Sequence, residues 1–97
     1  MKHAVDTEKL FQQVLDETPQ EIKQQMEWSY DIADRIDARL RNLGISQKEF
    51  AHRLGTSEAA VSKWVGGGHN FTLATLARIS VALGEPVIST HPKGMKN

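Results

Sequence analysis

The 97-residue sequence contains no cysteine, which excludes disulfides and thiolate chemistry and is compatible with a reducing compartment. No apolar run approaches the roughly 18 residues of a membrane-spanning helix, and the N-terminus has no apolar segment of signal-peptide length. The expectation is a cytoplasmic protein that makes no use of a membrane. Net charge of either sign is also missing, with 12 Lys or Arg against 12 Asp or Glu. That balance hides an asymmetry. Residues 1–29 hold three Lys and six Asp or Glu, a net −3, whereas residues 30–97 hold nine Lys or Arg and six Asp or Glu, a net +3. An acidic leader precedes a mildly basic segment, a balance that permits nucleic-acid binding without arguing strongly for it. The four histidines, at positions 3, 52, 69 and 91, are scattered and have no cysteine beside them, so no metal site is expected.

What is present is helical periodicity. Leu10, Phe11, Val14 and Leu15 form a short apolar face, predicting a helix over about residues 6–17. Thr18 is then expected to cap a second helix, with Pro19 at its first position and Glu21 reaching back as a capping box. Ile22 and Met26 share a face, and Trp28 and Tyr30 add aromatic surface. Neither Gly nor Pro interrupts the chain from Gln20 to Asn42, which reads as one long helix or as two that break near Ser29. Ile32, Ile36, Leu40 and Leu43 repeat at the spacing of a core-facing stripe. Around them Asp31, Asp34 and Asp37 alternate with Arg35, Arg39 and Arg41, a solvated and ion-paired surface. Gly44 suits a helix end.

Ser46 followed by Glu49 marks a further capping box, opening a helix over residues 47–54 with Phe50, Ala51 and Leu54 on one side. Gly55 separates it from a helix over about residues 57–65, whose apolar side is Ala60, Val61 and Trp64. Gly66, Gly67 and Gly68 predict a loop. Helical pattern returns from Thr72 to Leu83 and stops at Gly84 and Pro86. Residues 87–89 suit a short extended piece, and residues 91–97 a frayed tail.

Two helices of about eight residues joined at a glycine have the layout of a helix-turn-helix, here over residues 46–65. The close crossing of the two helices needs a small residue, and Ala51 supplies it. The turn needs positive φ, which Gly55 tolerates, and the second helix needs an apolar anchor, Val61. Counted from Gln47 these are the fifth, ninth and fifteenth positions. Phe50, Ala51, Leu54, Gly55, Val61 and Trp64 are the expected centre of the unit, under a DNA-binding reading and a plain helical-bundle reading alike. Favouring DNA is the outer side of the second helix, formed by Glu58, Ala59, Ser62 and Lys63, short and free of large apolar groups.

The stretches "IADRIDARLRNLGISQKEFAHRLG" from Ile32 and "TSEAAVSKWVGGGHNFTLATLARISVALG" from Thr56 resemble the Cro and phage C1 (XRE) repressor family. In appearance they come closest to HigA-like antitoxins. The resemblance implies an all-α, lambda-repressor-like helix-turn-helix bundle over residues 30–90, here with an additional helical extension over residues 1–29. It implies a homodimer on a palindromic double-stranded operator, with Ser57, Glu58, Ala59, Ser62 and Lys63 facing the bases. Gln47, His69, Asn70 and Thr72 would meet phosphates. The chemistry fits: Lys63 donates to guanine, the Ala59 methyl touches thymine, and Gln47, Asn70 and Thr72 donate to phosphate oxygens. Glu58 either accepts from a cytosine amine or favours the helix N-terminus. Likeness to the antitoxins further implies repression of its own operon and binding of a small basic ribonuclease toxin.

Other functions have less behind them. "GGGH" follows no strand and has no lysine for a phosphate loop, and Ser57 and Ser62 have no assignable histidine or acid partner, so neither catalysis nor a cofactor is expected. A stand-alone phage-type or housekeeping repressor fits every residue. A protein-interaction module that retains the helix-turn-helix shell is the remaining alternative, and the apolar residues of the leader are its evidence.

Overall fold

The computed structural model describes residues 7–90. The expected first helical residue, Asp6, and the expected tail over residues 91–97 lie outside them. Five helices and no strand occur among the described residues: α1 (Thr7–Glu17), α2 (Gln20–Leu43), α3 (Gln47–Leu54), α4 (Glu58–Gly66) and α5 (Leu73–Leu83). The all-α bundle with an additional N-terminal helix is what the helical periodicity and the family resemblance together implied.

The start of α2 departs from expectation. Pro19 is the N-cap rather than the first helical residue, and no side chain caps this end. The Pro19 carbonyl accepts from the Ile22 and Lys23 amides instead, at 3.1 and 3.2 Å. The Thr18 hydroxyl donates back to the Val14 carbonyl at 2.7 Å, so it closes α1 rather than opening α2. A threonine beside two helix ends has orphan groups to serve on both sides, and here the carbonyl of the preceding turn wins. From this start α2 runs 24 residues without a break at Ser29, a length of about 36 Å.

Along α2, Ser29, Ile32, Ala33, Ile36 and Leu40 are buried, spaced so that they share one side. Against them pack Phe50 and Ala51 from α3, Val61 and Trp64 from α4, and Leu76, Ile79 and Leu83 from α5. Burying each large aliphatic or aromatic side chain contributes about 1.5–3 kcal/mol relative to exposure. Residues 87–89 form no strand. Val87 drops into the same core at 2% exposure, with its amide donating to the Ser80 hydroxyl at 3.1 Å. Arg39 holds this end of the chain as well, donating from Nε to the Leu83 carbonyl at 2.9 Å and pairing with Glu85 at 3.5 Å. The expected pairing of Asp31, Asp34 and Asp37 with neighbouring arginines is therefore corrected to a single contact, Asp37 with Arg41 at 3.3 Å. Arg39 reaches across to the end of α5, where the Leu83 carbonyl, left without an intrahelical donor, and the Glu85 carboxylate both attract it.

Candidate nucleic-acid interface

The site is built on α3 and α4. Ser46 caps α3, its hydroxyl oxygen accepting from the Glu49 amide at 3.0 Å. Glu49 does not complete a reciprocal box; its carboxylate accepts two bonds from Arg53, at 2.6 and 3.1 Å. At the other end Gly55 takes φ 71, and its amide bonds to the His52 carbonyl at 3.1 Å. That left-handed turn redirects the chain within three residues, so that Ser57 can cap α4 by accepting from the Ala60 amide at 3.1 Å. Phe50 and Val61 are fully buried, Ala51 and Trp64 nearly so, and Leu54 is partly buried against them. Gly55 is exposed, so its place in the unit is set by its backbone angle and not by packing. Arg78 of α5 donates to the Leu54 carbonyl at 2.7 Å, bracing the turn from outside.

With Val61 and Trp64 turned inward, Ser57, Glu58, Ala59, Ser62 and Lys63 are all exposed on the opposite side of α4. The structure thus brings all five together. Lys63 forms no ion pair among the described residues, which leaves its ammonium available to a ligand. The Ser57 hydroxyl, by contrast, already accepts one bond at the helix cap, which leaves its proton and one lone pair for a ligand. Gln47 opens α3 and is half-buried. Lys48 beside it is exposed and has no ion pair among the described residues, a cation that the sequence pattern alone did not single out.

Gly66 belongs to the last turn of α4, one residue further than the glycine run implied. The loop beyond it is pinned to α2. The Ser29 hydroxyl lies 2.8 Å from the His69 carbonyl and equally 2.8 Å from the Gln25 carbonyl of its own helix. His69 meets Phe71 edge to face at 4.8 Å, and Phe71 packs on the core. Gly67, at φ 88, lies under the ring of Tyr30, and a Cβ there would fall within the ring edge. Another residue there would strain the backbone and push the Tyr30 ring aside. Thr72 is exposed, and its hydroxyl accepts from the Thr75 amide at 3.1 Å as the cap of α5, while Asn70 is exposed beside it. Asn70 also borders a groove of about 530 Å³ formed with Trp28, Ile32, Leu73 and residues 87–90. Among the described residues no group of three or more His, Asp or Glu could hold a metal ion, and no helix is long and apolar enough to cross a membrane.

The geometry, two short helices joined by a left-handed glycine with the second presenting a polar outer side, agrees with the one match found to known proteins. The model of a family described as helix-turn-helix matches residues 36–88, more than half of the chain. Neither the curated proteins nor the solved structures contain a match.

Proposed function

Because the chain belongs to the helix-turn-helix family, in its XRE branch, and is a DNA-binding regulator of transcription on that ground, we propose the specific manner in which it acts. A homodimer seats α4 of each copy in the major groove of a palindromic operator and represses transcription. Ser57, Glu58, Ala59, Ser62 and Lys63 face the bases, and Gln47, His69, Asn70 and Thr72 face the phosphates. One observation carries this reading. The buried Val61 and Trp64 fix α4 so that its exposed side carries small and polar groups and one unpaired lysine. An α-helix about 10–12 Å across fits a groove about 12 Å wide, and the nine residues of α4 lie along it. Selection from random duplex DNA tests it. The expected outcome is one recovered site with two-fold symmetry; recovery of no common sequence by a folded protein would refute it.

A second function is favoured by the leader. Leu10, Phe11 and Val14 on α1 are at least half exposed, and Ile22 and Met26 on α2 nearly so. Apolar side chains at regular spacing on an acidic segment suit a basic protein better than a phosphate backbone. We therefore extend the proposal to an autorepressing antitoxin whose leader binds a small basic ribonuclease toxin, the domains dividing at residues 1–29 and 30–90. Co-expression with the product of the adjacent gene, followed by pull-down, tests this. Capture is expected from the full chain and not after deletion of residues 1–17, with DNA binding retained. Equal behaviour of the two forms would leave a stand-alone repressor.

A further inference from the structure

We infer that Tyr30, together with the turn at Gly67 and Gly68, forms an additional phosphate-binding point at the end of α4. The inference rests on the DNA-binding reading and extends its interface to α2. Tyr30 is half-exposed, with its ring laid across Gly67. Its hydroxyl sits 3.8 Å from the position that a Cβ on Gly68 would take. That hydroxyl has no hydrogen-bond partner among the described residues, and the Gly68 amide likewise has no acceptor among them. Two unused donors therefore gather where the chain leaves the helix proposed to enter the groove, and Asn70 follows in the same loop. From Trp64 to Ala77 the sequence contains neither Lys nor Arg, so any phosphate met by this loop must be held by neutral donors. Hydroxyls and backbone amides are common donors to phosphate oxygens. A neutral donor also suits position 30, because a cation there would be drawn to Asp34, one helical turn further along.

The glycine is part of the device. Any side chain at position 67 would displace the Tyr30 ring, and with it the hydroxyl. The Ser29 contact to the His69 carbonyl, one residue before Tyr30, holds loop and helix in register.

Tyr30→Phe tests the point, since it removes only the hydroxyl and keeps the ring over Gly67. Affinity for a selected duplex and for an unrelated one is expected to fall by the same factor, about three- to tenfold, the size of one hydrogen bond. The slope of affinity against salt is expected to stay unchanged, because no counterion is released at a neutral donor. Gly67→Ala, checked by circular dichroism for retained helix, is expected to weaken binding more than Tyr30→Phe. Wild-type affinity in Tyr30→Phe, with the wild type binding its selected site, overturns this inference and leaves the DNA-binding reading intact. Failure of the wild type to bind any duplex overturns both.

Discussion

Ile32, Ile36 and Leu40, in the second half of α2, are 8%, 0% and 3% exposed, whereas Ile22 and Met26 on the same helix are 41% and 46% exposed. Both groups recur at helical spacing, and the helix does not break between them. The difference lies in what stands opposite. Past Ser29 the helix meets α4, the 67–71 loop and Val87; before it, no part of the core reaches these side chains. Amphipathic spacing therefore shows that a side of a helix is suited to burial, and a neighbouring element decides whether burial happens. The domain has its neighbours within the chain. The leader, on the proposed reading, finds one in another protein.

The largest effect that sharpens this comparison is in stability. Phe50→Ala should cost about 3–5 kcal/mol, enough to unfold a small domain, while Phe11→Ala should stay within about 0.5 kcal/mol. Urea unfolding of the two variants checks the pair; a comparable loss for Phe11→Ala would mean that the leader is packed after all. Next comes discrimination between duplexes. Lys63→Ala should lose about 1–3 kcal/mol of preference for a selected site, whereas Gln47→Ala should weaken all duplexes alike. Competition binding against random DNA separates the two. Gly55→Val follows, at about 1–2 kcal/mol of stability, from the cost of a left-handed backbone at a residue with a Cβ. Because nothing stands within 4 Å of a Cβ at Gly55, a clash at the Cβ adds nothing to that figure. The smallest contrast is between two caps. Ser46→Ala should cost about 1 kcal/mol and Thr18→Ala less than about 0.5 kcal/mol, since only Ser46 satisfies a helix N-terminus. Thermal unfolding of the two variants reads the difference.

The sequence made legible those features whose cause is local. Ser46 and Gly55 act within three or four residues of themselves, so their roles at helix ends follow from residue type and spacing; Ser57 and Thr72, read as first helical residues, are the N-caps of α4 and α5 instead. The stripe of Ile32, Ile36 and Leu40 follows from periodicity in the same way. Less legible were features set by distant contacts. Val87 is a core residue because the chain turns back after Gly84, and nothing in the residues around it announces that return. Ser29 is buried because a carbonyl 40 residues away lies over it. Arg39 turned from the nearby aspartates to the end of α5. Thr18 shows a local ambiguity instead, since the same hydroxyl could serve either of two adjoining helices. Within the candidate site the grouping of Glu58, Ala59, Ser62 and Lys63 was legible from helix geometry, and the family resemblance added Ser57. The approach of Tyr30 to Gly67 was not, because it joins α2 to a loop 37 residues later.

On the proposed reading, DNA contacts are confined to the domain and its glycine loop while the leader is left free. Backbone-amide chemical shifts of the full chain, followed during titration with a selected duplex, test this residue by residue. Large shifts are expected at Gln47, at Glu58 to Lys63 and at Gly67 to Thr72, with Leu10, Phe11 and Val14 unmoved. Shifts concentrated on α1, or none on α4 at saturating duplex, would contradict it.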